Sequence, residues 1–196
     1  NAPKPVGKPI NTIWWDAAAC LTGDQNKMYF VSERKGGRGR GDIWVSTKEG
    51  KNWGKPVNLG PEINTKSQET NVYVTPDEKY LFFSSDGHEG MGGYDVYVCM
   101  NIDGQWSEPV NMGYPINTVS DETHFVYYPD DKKAYYSTFS SSENKGVGAR
   151  DIFQIDMSEY ELKKPESGYR EIDAVQRLLL IILVFRPTFR ANFTYI

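Results

Sequence analysis

A chain of 196 residues is long enough for one sizeable core or for a short array of small repeated units. Its formal net charge of -4 argues against a nucleic-acid-binding function, because such proteins usually carry a clustered basic excess. Aromatic residues make up 14% of the chain, and scattered glycine and proline accompany them, which is typical of short strands joined by tight turns.

The chain repeats itself at a spacing of 53 residues. Residues 54–70 read GKPVNLGPEINTKSQET and residues 108–123 read EPVNMGYPINTVSDET, and adding 53 to a residue number aligns the two copies. A third copy follows, in which Asp151 corresponds to Asp42 and Asp95 after three inserted residues. Upstream, residues 7–12 (GKPINT) match residues 113–118 (GYPINT), so we expect the chain to begin at the end of a still earlier copy.

Each copy predicts four short antiparallel strands. In the second copy, a strand at residues 70–75 ends at the turn 76–79, where proline sets the bend and aspartate can bond its own backbone. A second strand follows at 80–85, then the glycine-rich loop 86–94 and a third strand at 95–100. The turn 101–104 leads into a short fourth strand at 105–110, in which Pro109 indicates an edge position because proline cannot donate to a ladder.

A four-stranded antiparallel unit of about 40 to 50 residues, repeated in tandem, is typical of a β-propeller blade. The sequence therefore predicts an all-β, partial β-propeller over residues 1–165, with blades at about 13–65, 66–118 and 119–165. The recurring PxNxGxxINT segment is then the link from the outer strand of one blade to the inner strand of the next. Three blades do not close a ring, so we expect either a fragment or an unusual closure.

Residues 166–196 abandon the repeat. This segment could be an extra strand and helix, a swapped or closing element, or a stretch foreign to the native reading frame. Its apolar run at 178–185 is far shorter than the roughly 20 residues that a helix needs to cross a bilayer, so we expect no membrane-spanning segment. Cys20 and Cys99 occupy different positions of the repeat, and we predict two unpaired thiols.

The repeat resembles a known family. Residues 80–122, YLFFSSDGHEGMGGYDVYVCMNIDGQWSEPVNMGYPINTVSDE, are similar to the WD-like "PD" repeat of TolB-type propellers, in which a Pro-Asp turn, an aromatic strand and a glycine-rich loop lead into D-[IV]-[YWF]. The first copy departs from this pattern, with Gly23-Asp24 in place of Pro-Asp. The W-x-x-P-V-N-[LM]-G-x-x-I-N-T form resembles the propeller module of envelope lipoproteins that also carry an OmpA-like peptidoglycan-binding domain, a group that includes a component of type IX secretion.

The resemblance implies a non-catalytic scaffold in the periplasm or at the outer membrane, with envelope proteins as partners and a place in a secretion or peptidoglycan-linked assembly. If the first strand of each blade is innermost, the loops 33–41, 86–94 and 139–150 lie on the same face as the links. We expect this face to bind the partner. Its candidate residues are Trp14, Trp15, Arg34, Arg38, Arg40, His88 and Glu89.

Two groups of these candidate residues could have a structural role instead of a binding role. Arg34, Arg38 and Arg40 belong to ERKGGRGRG, which could grip carboxylates or phosphates, or could be a solvated turn. Trp14 and Trp15 have no aromatic counterparts in the other copies, and could anchor a partner or a glycan, or could contact an upstream blade.

Other recurring residues predict structure rather than chemistry. Asp42, Asp95 and Asp151 precede the third strand of each copy, where aspartate can accept backbone hydrogen bonds and fix a turn. Trp53 and Trp106 suit blade packing, and Asn64 and Asn117 recur in the links. These seven residues are our structural repeat positions.

The two histidines, His88 and His124, lack companion nitrogen and sulfur ligands, so we expect no metal site and no cofactor. We expect His88 to be exposed and His124 to lie at a strand start. A carbohydrate-binding or sialidase-like propeller is the alternative function, because residues 46–53 (STKEGKNW) resemble an Asp-box. A glycosidase would need paired carboxylates, and Glu33, Asp86 and Glu89 lie on the expected binding face, although nothing in their spacing singles them out.

Overall fold

The computed structural model describes residues 2–139, 146–158, 160 and 162, and every regular element within them is a β-strand. The prediction of an all-β chain is therefore confirmed for this part. The strands are β1 Asp16–Leu21, β2 Lys27–Ser32, β3 Asp42–Glu49, β4 Asn52–Trp53, β5 Val57–Asn58, β6 Glu69–Val74, β7 Tyr80–Ser85, β8 Asp95–Ile102, β9 Gln105–Trp106, β10 Val110–Asn111, β11 Thr123–Tyr128, β12 Lys133–Phe139 and β13 Arg150–Asp156.

The strands form three successive antiparallel sheets. In the first, β1, β2 and β3 pair in chain order, and the dipeptides β4 and β5 pair with β3. The second repeats this order with β6, β7 and β8, to which β9 and β10 are added, and the third contains β11, β12 and β13. Successive sheets of this kind fit a fragment of a β-propeller. The tail 166–196 and residues 140–145 of the third loop lie outside the described residues.

The predicted fourth strand is wrong as a continuous element. In the second sheet it is divided into β9, which pairs with Asn101 and Ile102, and β10, which pairs with Tyr97 and Val98 near the middle of β8. Residues 107–109 separate the two pieces because Pro109 has no N–H for the ladder. The first sheet has the same break around Pro56, between β4 and β5.

The first strands of the three sheets share a bulge at the same repeat position. Ala18, Asn71 and His124 have positive φ angles of 50°, 53° and 59°, and each lies where the pairing register of its strand shifts. A bulge bends a strand and increases its twist, so this recurrence gives all three sheets a similar curvature. His124 lies near the start of β11, as predicted.

The core consists of the apolar side chains that fill the space between sheets. Leu81 and Phe83 meet Val31 and Ile43 across the first junction, and a second cluster joins the second and third sheets. Cys99 is buried and Cys20 half-buried in the first cluster, and both are free thiols, as predicted. Trp106 packs against the first cluster, with its ring 5.9 Å from that of Tyr29 in a T-shaped arrangement. Trp53 packs against a separate cluster that includes Met28, Phe30 and Trp44.

Candidate functional site

Backbone hydrogen bonds place the loops between second and third strands beside the links. The Arg40 N–H donates to the Ser67 carbonyl (2.8 Å), and the Glu69 N–H donates to the Gly41 carbonyl (2.8 Å). The equivalent bonds at the next junction run from Gly93 to Ser120 and from Glu122 to Tyr94. The expectation that loops and links share one face is confirmed at these two junctions, and residues 140–145 of the third loop lie outside the described residues. We call this surface the loop face; it comprises the loops 33–41, 86–94 and 146–149 and the links 9–15, 59–68 and 112–121.

An asparagine side chain completes the second and third links. Asn64 Oδ1 accepts from the Ile43 N–H (2.7 Å), while its Nδ2 donates to the Ile43 carbonyl (3.0 Å) and to Asn58 Oδ1 (2.9 Å). Asn117 makes the same bonds to Val96, at 2.8 and 2.9 Å. The side-chain amide thus pairs with β3 or β8, the third strand of its sheet, as a neighbouring strand would. It satisfies backbone groups at the outer edge of that strand.

Buried carboxylates at the start of β6 and just before β11 hold the links to the sheets. Glu69 is fully buried, and its oxygens accept from the N–H and hydroxyl of Thr65 and from the hydroxyl of Ser85. Glu122 has the same arrangement with Thr118 and Thr138. These hydrogen bonds favour the charged form of Glu69, but burial outweighs them and raises its pKa.

The first link carries the shorter Asp16 at this position, and Arg34 completes the arrangement. Arg34 Nη2 lies 3.0 Å from Asp16 Oδ1 and 2.6 Å from the Ile10 carbonyl, and the guanidinium stacks over Phe30 and Trp44. Burial disfavours the charge of Asp16, but hydrogen bonds from Ser32, Thr12 and Arg34 outweigh it and lower the pKa of Asp16. Arg34, predicted to bind a partner, is therefore occupied within the protein.

His88 takes the place of Arg34 in the second copy. Its Nε2 donates to the Ile63 carbonyl (2.8 Å), which corresponds to that of Ile10, and its ring lies 5.8 Å from Phe83 and 5.1 Å from Tyr97. The expectation that His88 is exposed is wrong: the side chain is half-buried because it spans the gap between loop and link. Burial lowers the pKa of His88.

Aspartates at the loop ends accept backbone hydrogen bonds. Asp42 Oδ2 and Oδ1 accept from the N–H groups of Arg38 (2.6 Å) and Gly39 (2.9 Å), and Asn58 also donates to Oδ2. Asp95 Oδ2 accepts from Met91 and Gly92, whereas its buried Oδ1 has no hydrogen-bond partner among the residues that the structure describes. Burial raises the pKa of Asp95. In the third loop, Asp151 Oδ2 accepts from Gly148 (2.8 Å).

Two glycines permit the close approach of loop and link. A Cβ on Gly39 would overlap the carbonyl oxygen of Ser67, and a Cβ on Gly92 would overlap that of Ser120. Both glycines have ordinary φ angles, so space rather than backbone conformation requires them. Close backbone contacts therefore fix these two loops to the neighbouring links.

Large apolar side chains are exposed at several points of this face, among them Met91, Tyr114, Val119 and Val147, and three are consecutive in the first link. Ile13, Trp14 and Trp15 at the tip of the first link are 94%, 45% and 44% exposed. Arg38 and Arg40 of the adjacent loop are also exposed, and Arg40 lies 3.4 Å from Asp86 of the next sheet. Trp14 and Trp15 thus lie beside the start of the loop that carries Arg38 and Arg40, since the Glu33 N–H donates to the Trp15 carbonyl, whereas the exposed Glu89 belongs to the second loop.

Sequence reasoning missed the buried carboxylates and the equivalence of Arg34 with His88. The signal for the first was available, because a threonine precedes Asp16, Glu69 and Glu122 by four residues in every copy. Among the described residues, no group of three or more His, Cys, Asp or Glu side chains could hold a metal ion. In the same part of the chain there is no helix long and apolar enough to span a membrane.

Comparisons with known proteins give a distant structural likeness only. No protein-family model matches the chain, and no curated protein matches it. Among solved structures it is similar to TolB from Acinetobacter baumannii, with a TM-score of 0.49 and 14% identity, over 71% of this chain and 29% of that one. It is also similar to a putative 6-phosphogluconolactonase from Bacteroides uniformis ATCC 8492, with a TM-score of 0.39 and 10% identity, over 69% and 42%. The chain spans less than half of either protein, and neither similarity is close enough to assign an activity or a partner.

Proposed function

We propose that this chain is a non-catalytic β-propeller segment that serves as a docking platform for other proteins of a bacterial envelope. In this proposal residues 1–165 form three blades that repeat at about 53 residues, and 166–196 are a separate tail. The location is periplasmic or outer-membrane-associated, in a secretion or peptidoglycan-linked assembly, as the resemblance to OmpA-linked envelope propellers implies.

The observation that carries the proposal is the exposed tip of the first link. Ile13, Trp14 and Trp15 project from a link whose backbone is held at both ends, by Thr12 and Asp16. Large apolar side chains on a rigid support are suited to anchoring a protein partner, since little conformational freedom is lost when they become buried.

The polar residues of the repeat support a structural role for most of the framework. Asp42, Glu69 and Glu122 accept hydrogen bonds from their own loops and links, which uses their oxygens internally. Of the carboxylates considered for a glycosidase, Asp86 accepts from the Gln68 N–H (2.8 Å) and faces Arg40. These residues fasten the surface that is offered to a partner.

The carbohydrate-binding alternative rests on the same two tryptophans, since an exposed indole can also stack on a sugar ring. Placing a photo-cross-linking amino acid at Ile13 or Lys35 separates the two functions. We expect protein adducts from an envelope extract at these positions and none at Lys51, in the turn that leads into β4 at the opposite end of the sheet. If neither Ile13 nor Lys35 forms protein adducts and the chain binds on a glycan array, the docking platform is refuted and the carbohydrate-binding alternative is favoured.

A further inference from the structure

The loop face is electrically polarised between its first two sheets. The loop 33–41 carries four cationic side chains and one anionic one, whereas the equivalent loop 86–94 carries Asp86 and Glu89 and has neither lysine nor arginine. The two loops have the same backbone framework, since equivalent aspartates and glycines fix both. Arg34 and Asp86 bond to the neighbouring links, and the rest of the charge difference is carried by side chains that the framework does not use.

The cations of the first loop differ in how far they are used within the protein. Arg34 is withdrawn into its contacts with Asp16, and its side chain is only 9% exposed. Arg40 faces Asp86 at 3.4 Å but remains 70% exposed, so most of its hydrogen-bonding capacity points to solvent. Lys35 and Arg38 are exposed, and neither forms an ion pair with any of the residues the structure describes.

The basic loop is fastened directly to the aromatic tip. The Glu33 N–H donates to the Trp15 carbonyl (3.0 Å), and Arg34 joins the loop to Asp16 and to the Ile10 carbonyl. On its other side, Asp42 holds the Arg38 N–H, so the backbone from which that guanidinium projects is fixed. Apolar anchors and exposed cations are therefore presented together on one rigid unit.

We infer that this first sector, formed by Ile13, Trp14, Trp15, Lys35, Arg38 and Arg40, binds an acidic peptide segment that carries large apolar side chains. This inference rests on the proposed docking function and names the chemistry of its partner. Guanidinium groups bind carboxylates through paired N–H donors, and the apolar tip covers the apolar side chains of the peptide.

The surroundings favour a peptide over a polyanion such as a nucleic acid or a sulfated glycan. Continuous phosphate or sulfate would meet Glu33 beside the cations and the acidic second loop next to them, because all these groups lie on one face. Ile13, which is 94% exposed, offers nothing to a sugar phosphate but can be covered by a leucine or phenylalanine side chain. A short acidic segment can be placed over the first loop alone.

Fluorescence anisotropy with a labelled synthetic peptide tests the inference. The probe has about twelve residues, with aspartate and glutamate around one tryptophan and two leucines, and a matched probe replaces the acids by their amides. At low ionic strength we expect the acidic probe to bind at least about tenfold more tightly than the amide probe, and added salt to reduce the difference.

Two variants and a control assign the contacts. The double substitution Arg38→Gln with Arg40→Gln should weaken binding roughly fivefold to tenfold at low salt, while Lys51→Gln with Lys55→Gln, remote from the loop face, should leave it unchanged. Trp14→Ser with Trp15→Gln introduces the residue types that the second copy has at these positions. It should weaken binding by about tenfold or more at both low and high salt.

Equal affinity for the acidic and amide probes, or equal effects of the arginine and lysine variants, would overturn the inference. Tighter binding of a heparin fragment than of the peptide would show a polyanion site instead. A change in oligomeric state on substitution of the tryptophans, measured by sedimentation, would show that a second copy of the chain occupies the sector. If the peptide fails but cross-linking at Ile13 still captures protein, the partner chemistry is wrong and the docking function stands; failure of both removes the function as well.

Discussion

Replacing Asn64 by alanine should destabilise the protein strongly, although the residue lies in a link and not in a strand. Its amide pairs with both backbone groups of Ile43, at 2.7 and 3.0 Å, and with Asn58. The Ile43 carbonyl keeps a second donor, the Leu59 N–H, but the buried Ile43 N–H would lose its partner in the link. An unpaired buried donor costs about 1–3 kcal/mol, and the lost bond to Asn58 adds about 1 kcal/mol.

We therefore expect Asn64→Ala to lower the free energy of unfolding by about 2–4 kcal/mol, measured by denaturant titration. At about 2–4 °C per kcal/mol for a chain of this size, Tm should fall by roughly 5–15 °C. The chain contains its own control, because Asn11 occupies the same repeat position but is exposed, and its Oδ1 accepts from the Gly7 N–H of its own turn. Asn11→Ala should cost less than about 1 kcal/mol. Equal losses for both variants would refute the idea that the asparagine acts by completing a buried strand edge.

Three further predictions concern the loops. Asp95→Asn should destabilise the protein less than Asp42→Asn, because both oxygens of Asp42 accept backbone hydrogen bonds whereas Asp95 Oδ1 accepts none that the new NH₂ group would break. The raised pKa of Asp95 means that folding favours its protonated form, so the stability difference should shift in favour of Asp95→Asn over wild type as pH rises above about 4; chemical denaturation across pH measures this shift. Gly92→Ala should lower the free energy of unfolding by about 1–3 kcal/mol, because the new methyl group overlaps the Ser120 carbonyl, and hydrogen exchange should be faster where the second loop meets its link. Unchanged stability would contradict the close approach of Gly92 to that carbonyl. Burial lowers the pKa of His88, so the wild type should lose stability as pH falls below about 6.5, and His88→Gln should reduce that loss because glutamine does not titrate. The glutamine amide can still donate to the Ile63 carbonyl, and acid sensitivity equal to that of the wild type would contradict this prediction.

The strand order was predictable from sequence because it depends on local signals. The Thr-Pro-Asp turn at 75–77 forms as its residue types predict, with Asp77 Oδ1 accepting from Thr75 and Lys79. The first copy forms the same turn with Asp24 and no proline. In both copies the aspartate accepts hydrogen bonds from residues two positions away in sequence. The sequence alone was therefore enough to predict the turn.

The roles of Arg34 and His88 could not be read in the same way. Each bonds a carbonyl 24 or 25 residues away, and their repeat positions differ by one, which hides the correspondence from a comparison at constant spacing. Arg34 also lies among arginines that remain exposed, so local composition did not distinguish the internal cation from the exposed ones. Contacts of this kind depend on how the loop lies against the link, which the tertiary structure determines.

The measurement that tests docking at the loop face most directly is the capture of envelope proteins on the immobilised chain. Wild type, the Trp14→Ser with Trp15→Gln variant and the Lys51→Gln with Lys55→Gln variant should be compared at equal loading, after circular dichroism has shown equal folding. We predict that the tryptophan variant loses most of the captured protein and that the lysine variant retains it. Full capture by a folded tryptophan variant would contradict the account.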